Sequence, residues 1–212
     1  MSPKIGLIDY GSGNFTSVWN AFSQHGRELV AVTEHGQFRE CSHLVLPGVG
    51  AFSTAIGRLQ QMRLLDPLRE LVQSGTTPFL GICVGMQILA AEGAEFEPTS
   101  GLGVVEGIVN RFDFSSLAAA PPLPHMGWND VIAAPGSVLF KGIDPQEPSF
   151  YFVHSYHLQS DDPTARFSHC VYGGRFIAAL EKSRVFGVQF HPEKSQRNGR
   201  QVIANFLGVN RG

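Results

Sequence analysis

The chain opens as an alternation of short apolar runs and longer amphipathic segments. Lys4 to Tyr10 is a β-rich apolar run; beyond Gly11-Ser12-Gly13-Asn14, an amphipathic segment from Asn14 to Gln24 predicts a helix, with His25-Gly26 a fitting stop. Glu28 to Val32 and His43 to Leu46 read as further strands, the second ending at Pro47-Gly48. Ser53 to Met62 and Leu64 to Gln73 read as helices, the latter closed by Ser74-Gly75. Phe79 to Ile82 reads as a buried strand, and Gln87 to Ala91 as the first turns of the next helix. Strands alternating with helices predict a mostly parallel central sheet flanked by helices.

The second half has a different rhythm. Gly103 to Phe112, Asp130 to Ile132, Ser149 to Leu158, Arg166 to Val171, Phe176 to Glu181 and Val185 to Phe190 look like strands separated by turns. They predict an antiparallel β section added to the C-terminal half of an α/β fold, closed by a last helix near Gly199 to Leu207. Ser115 to Pro124, with its Ala-Ala-Ala-Pro-Pro-Leu-Pro run, reads as an exposed connection and not a domain linker, because candidate site residues lie on both sides of it. One domain over residues 1–212 is expected, without internal repeats.

Gly81-Ile82-Cys83-Val84-Gly85 puts a thiol between two glycines where a strand hands over to a helix. Glycine two before and two after a nucleophile is the elbow pattern of G-x-S-x-G hydrolases, here with Cys in place of Ser. A helix N-terminus at that point would also favour thiolate. A lone Cys in an apolar run is otherwise a packing residue. Near the C-terminus, Val188-Gln189-Phe190-His191-Pro192-Glu193 ends a strand, since Pro192 cannot continue one. A thiol nucleophile needs a base that returns its proton to a leaving amine, and the imidazole needs an acceptor that fixes its tautomer. Cys83, His191 and Glu193 supply those three roles.

Three loops stay open on residue chemistry alone. Gly11-Ser12-Gly13-Asn14 lacks the glycine and lysine positions of phosphate-binding loops and reads as a turn with Asn14 as helix N-cap. Pro47-Gly48-Val49-Gly50 is either a tight turn or a source of backbone N–H groups for an oxyanion. His125-Met126-Gly127-Trp128-Asn129 is either a turn with a partly buried Trp or an interface anchor.

Gly81-Ile82-Cys83-Val84-Gly85-Met86-Gln87 paired with Phe190-His191-Pro192-Glu193-Lys194-Ser195 resembles the class I (triad) glutamine amidotransferases. Asp9 to Asn14, Leu46 to Phe52, Pro124 to Asn129 and Tyr151 to Tyr156 resemble, in that order, the subgroup of glutaminase subunits that serve imidazole glycerol phosphate synthase in histidine biosynthesis. The likeness runs from Ile5 to Leu207. It implies a flavodoxin-like amidotransferase fold and hydrolysis of glutamine to glutamate and ammonia through a glutamyl thioester on Cys83. It also implies an oxyanion hole at Gly48, Val49, Gly50 and Val84; glycine on both sides of Val49 would let one peptide flip. Gln87, Ser155 and Tyr156 would hold glutamine, while Asn14, Trp128 and Asn129 would face a partner. That partner would be a cyclase subunit with a (β/α)8 barrel, in a heterodimer, and no metal or organic cofactor is implied. The sequence departs from the subgroup at Val84, where Leu is usual, and at Gln196-Arg197 after Ser195. An anthranilate-synthase type of amidotransferase subunit and a catalytically silent scaffold on the same fold are the alternative readings.

Composition narrows the picture by exclusion. With a formal net charge of −2 and no basic block, neither nucleic-acid binding nor docking on an anionic membrane has electrostatic support. Met1-Ser2-Pro3-Lys4 carries no secretory apolar region, and no apolar stretch approaches the roughly 18 residues of a membrane span, so a cytoplasmic location is expected. Cys41, Cys83 and Cys170 are too few and too scattered for a disulfide framework or a zinc site, and without flanking glycines Cys41 and Cys170 read as packing residues.

Overall fold

The structure, a computed structural model, describes residues 4–212; residues 1–3, within the stretch read for a targeting signal, lie outside the described residues. In chain order the first half gives β1 (Lys4–Ile8), α1 (Phe15–Ser23), β2 (Leu29–Val32), β3 (Cys41–Leu46), α2 (Phe52–Gln61), α3 (Leu65–Ser74), β4 (Phe79–Ile82) and α4 (Val84–Gln87). The second half gives β5 (Ala90–Gly93), β6 (Thr99–Ser100), β7 (Val105–Arg111), β8 (His125–Asp130), β9 (Ser149–His154) and β10 (Tyr156–Gln159). It ends with β11 (Arg166–Val171), β12 (Arg175–Lys182), β13 (Val185–Val188) and α5 (Gln196–Leu207).

A seven-stranded sheet in the order β11-β12-β13-β4-β3-β1-β2 forms the centre. β2, β1, β3, β4 and β13 run parallel, while β12 is antiparallel to both β11 and β13. Every residue of β4 and β13 is buried, as the unbroken apolar runs of central parallel strands require. α1 buries Val18 and Phe22, and α5 buries Val202, Ile203, Phe206 and Leu207, the spacing of one helical face. The Phe206 ring meets Phe22 and Phe186 edge-on, at 6.5 and 5.9 Å between centroids, tying both helices to the sheet. Burying one such ring contributes on the order of 2 kcal/mol.

The antiparallel section expected in the C-terminal half is present, and part of it extends the central sheet. The β12–β13 hairpin and β11 extend the central sheet itself, whereas β10-β7-β5-β6 form a separate four-stranded sheet and β8-β9 a hairpin. The helix predicted over Gln87 to Ala91 is a single turn, Val84–Gln87, followed by strand β5. Ala90 to Gly93 pairs with β7 and β6, and such distant pairing overrides the local preference of a short, small-residue run. The strand predicted over Asp130 to Ile132 lies earlier, at His125–Asp130, so the Met-Gly-Trp-Asn segment is a strand and not a turn. Ser149 to Leu158 is broken at Ser155: β9 pairs with β8 and β10 with β7, and the break turns Ser155 and Tyr156 towards a cavity.

Candidate active site

Cys83 follows β4 directly and holds φ 54°, ψ −109°, a region that costs a non-glycine residue on the order of 1–3 kcal/mol. Hydrogen bonds fix it there. Its N–H donates to Val188 O at 2.8 Å, and its carbonyl accepts from the N–H groups of Met86 and Gln87, each at 3.0 Å. The flanking glycines serve close approach: a Cβ on Gly85 would overlap the Leu46 carbonyl oxygen of β3, and one on Gly81 the Gly85 carbonyl oxygen. With α4 only one turn long, the dipole expected to favour thiolate reduces to the first few amides of that turn.

The parallel register of β13 on β4, with Gly187 opposite Gly81 and Val188 opposite Ile82, carries the chain that follows β13 past Cys83. His191 is fully buried, its N–H held by Tyr151 O at 2.9 Å. Pro192–Lys194 then forms a short 3-10 turn that folds Glu193 back, so that His191 Nδ1 donates to Glu193 Oε1 at 2.8 Å. That bond places a proton on Nδ1. The other ring nitrogen, Nε2, is buried without a completed hydrogen bond, and Cys83 lies near enough to act on the ring's charge. Burial works against the cationic ring, but Cys83 and Glu193 more than offset it and raise the His191 pKa to about 10.

Sequence reasoning gave one supporting residue another role and missed a second. Asn14 sits at the start of α1 but makes no side-chain cap. Ser12 Oγ donates to its Oδ1 at 2.6 Å, which turns Nδ2 onto Glu193 Oε1 at 3.2 Å. A distant acceptor has won over the local cap. Asn14 is thus buried against the Glu193 carboxylate instead of lying on a partner-facing surface. Gln189, fully buried, donates from Nε2 to Cys83 Sγ at 3.6 Å and accepts from Gln87 Nε2 at 3.1 Å. A signal for it existed: Gln189 is a polar residue inside the apolar run Phe186 to Phe190, two residues from His191.

A cavity of about 540 Å³ opens over the thiol, lined by Val49, Gly50, Cys83, Val84, Gln87, Ser155 and Tyr156 among others. Gly48, grouped with Val49 and Gly50 as an oxyanion donor, lies below them, with Tyr10, Val84 and Gly85 within contact of where its Cβ would be. The Tyr10 hydroxyl is buried there without a partner, and burial pushes its pKa up to about 12. Glu95 and Phe96 also line the cavity and were not anticipated; Glu95 Oε2 accepts from the Phe52 N–H at 2.9 Å. Gln87 Nε2 donates to Tyr156 O at 3.0 Å, so the elbow helix and the broken strand are joined across the cavity wall.

Strand alternation in β8 sorts the residues expected at a partner surface. Met126 and Trp128 are exposed, at 62% and 49%. Asn129 is half-buried and points the other way, donating from Nδ2 to Val171 O at 2.9 Å. Among the described residues no three His, Cys, Asp or Glu side chains are grouped to hold a metal ion, and no helix is long and apolar enough to cross a membrane.

Known proteins are similar to this chain in sequence or in architecture. The imidazole glycerol phosphate synthase subunit HisH of Sulfurimonas denitrificans is 40% identical over 95% of this chain and 96% of its own, and that of Ruegeria pomeroyi 42% identical over 95% and 96%. Among solved structures, a glutamine amidotransferase aligns with TM-score 0.71 at 20% identity over 96% of both chains. PurLQS from Thermotoga maritima aligns at 0.72 and 19% identity over 98% of both, a likeness of fold alone. The family profile described as glutamine amidotransferase class-I matches residues 6–209, and with the relatives above it shows that the chain belongs to the class I glutamine amidotransferases.

Proposed function

We propose that this chain is the glutaminase subunit of an imidazole glycerol phosphate synthase, hydrolysing glutamine and supplying ammonia to a cyclase subunit in histidine biosynthesis. Relatives of that name match almost the whole chain. The observation that carries the chemistry is the buried His191, bonded at Nδ1 to Glu193 and unpartnered at Nε2 beside Cys83. Residues 1–212 act as one amidotransferase domain, in the cytoplasm.

The Cys83 proton rests on His191 Nε2, and the thiolate attacks the carboxamide carbon of glutamine. Backbone N–H groups of Val49, Gly50 and Val84, supported by Gly48, receive the oxyanion. The C–N bond breaks as His191 returns the proton to the departing nitrogen, leaving ammonia and a glutamyl thioester. Water, deprotonated by His191, attacks that thioester; the C–S bond breaks, glutamate forms and the thiolate is restored beside the protonated His191. Gln87, Ser155 and Tyr156 position the amino-acid end of glutamine, and Glu95 brings a carboxylate suited to its α-ammonium group.

The exposed Met126 and Trp128 make an apolar face suited to a partner, which we take to be a (β/α)8-barrel cyclase in a heterodimer. Asn129 lies behind that face. Cys83→Ala assayed with the cyclase subunit tests the division of labour: glutamine-dependent synthesis is expected to vanish while ammonia-dependent synthesis persists. Loss of both contradicts it.

A further inference from the structure

We propose that Gln189 is a built-in donor to the nucleophile, a neutral carboxamide whose N–H holds the Cys83 sulfur as thiolate and aims it into the cavity. The inference deepens the function above and rests on reading Cys83 as the glutaminase nucleophile. It stands on geometry. Gln189 Nε2 lies 3.6 Å from Cys83 Sγ, and both residues are buried.

The direction of the amide is fixed by its surroundings. Gln87 Nε2 donates one hydrogen to Tyr156 O at 3.0 Å and the other to Gln189 Oε1 at 3.1 Å. A Gln189 amide turned the other way would set two N–H groups against each other at Gln87 and leave the sulfur facing an oxygen. The backbone fixes its place as well, since the Cys83 N–H bonds Val188 O at 2.8 Å and so sets Gln189 beside the elbow.

A thiol sulfur is a weak acceptor and a thiolate a strong one, so this donor favours the ionised form. His191 supplies the charge of the opposite sign. Gln189 adds a contact that neither titrates nor transfers a proton. The same bond must weaken as the sulfur becomes a thioester, so Gln189 acts on the resting nucleophile and not on the acyl enzyme.

The test is the rate of Cys83 alkylation by iodoacetamide against pH, on the full chain, with labelling assigned to Cys83 by peptide mass. Gln189→Met removes the donor at nearly constant size. It is expected to move the inflection of the pH–rate profile up by about one unit, a slowing of up to about tenfold on the acid limb, from the typical worth of a hydrogen bond to a charged group. The difference should close or reverse slightly at pH 10, because a thiolate without a donor is the stronger nucleophile. Gln87→Met, which frees the Gln189 amide to turn, should give a smaller loss of the same sign, and it serves as the test if Gln189→Met fails to fold. A profile superposing on that of the parent, or a slowing equal at every pH, overturns the inference. If the parent Cys83 itself reacts no faster at pH 6 than an ordinary thiol, the glutaminase reading is what fails.

Discussion

His125 Nδ1 lies 3.1 Å from His154 Nε2, and only one placement of protons satisfies the pair. His154 Nδ1 faces the Tyr156 carbonyl at 2.8 Å, so it carries a hydrogen and leaves Nε2 to accept from His125. His125 Nε2 is then an acceptor, met by Asn129 Nδ2 at 3.3 Å. Two neutral histidines therefore link β8, which carries the exposed Met126 and Trp128, to the same carbonyl that receives Gln87 at the cavity wall.

The neutrality of that pair predicts acid sensitivity. Burial pushes the pKa of His125 down to about 4 and that of His154 to about 3, below the ordinary 6.5. Between 6.5 and these values the unfolded chain binds more protons, so stability is full above 6.5 and is lost as the pH falls towards them. The loss at pH 4 is expected to reach a few kcal/mol, because each tenfold weakening of proton binding in the folded chain corresponds to about 1.4 kcal/mol. Urea midpoints measured from pH 7 to pH 4 should fall, and less steeply in His125→Phe, whose ring keeps the stack on Tyr172 and Phe152.

At the other end of the scale, the raised pKa of His191 sets an alkaline limit. In the proposed mechanism the imidazolium returns a proton to the leaving nitrogen, so kcat/KM for glutamine should hold through neutrality and drop as the pH rises through about 10. Glu193→Gln removes the charge that supports the cation, and the drop should then move to lower pH. An unmoved limb would mean that the Glu193 charge does not act on His191.

Asn14 predicts a kinetic effect at a distance from the substrate. Its amide is bonded to Glu193 Oε1, the same oxygen that accepts from His191 Nδ1. Asn14→Ala should lower kcat about tenfold with little change in KM, the scale of a lost hydrogen bond to a charged group. Asn14→Asp, which opposes two carboxylates, should cost more. Steady-state glutaminase kinetics decide it.

Two glycines should respond differently when given a methyl group. A Cβ on Gly85 would overlap the Leu46 carbonyl oxygen, whereas at Gly50 nothing lies within 4 Å and only its φ of +101° resists a side chain. Gly85→Ala is expected to destabilise by roughly 3 kcal/mol through overpacking. Gly50→Ala should lower the urea midpoint less, by the roughly 1–2 kcal/mol that such a φ costs a side chain, yet shift the loop amides and cut glutamine hydrolysis by about tenfold or more.

Much of this site was legible locally. The elbow glycines, the strand into Cys83 and the short return from His191 to Glu193 span only a few residues each, so spacing and turn chemistry expose them. The short apolar run after the elbow was not legible, because Ala90 to Gly93 takes its strand form from β7.

By itself the sequence determined the alternation of strands and helices, the elbow and the residues of the Cys-His-Glu set, since all follow from side-chain period and near-neighbour chemistry. Tertiary structure decided what those residues touch: that Asn14 turns from a helix cap to Glu193, that Ser155 breaks a strand at the cavity, and that Gln189 reaches Cys83. The reason is physical. A local pattern fixes which face a side chain points from, but the partner of a buried donor arrives on another strand, here 106 residues away, and only the register of the two strands sets the distance between them.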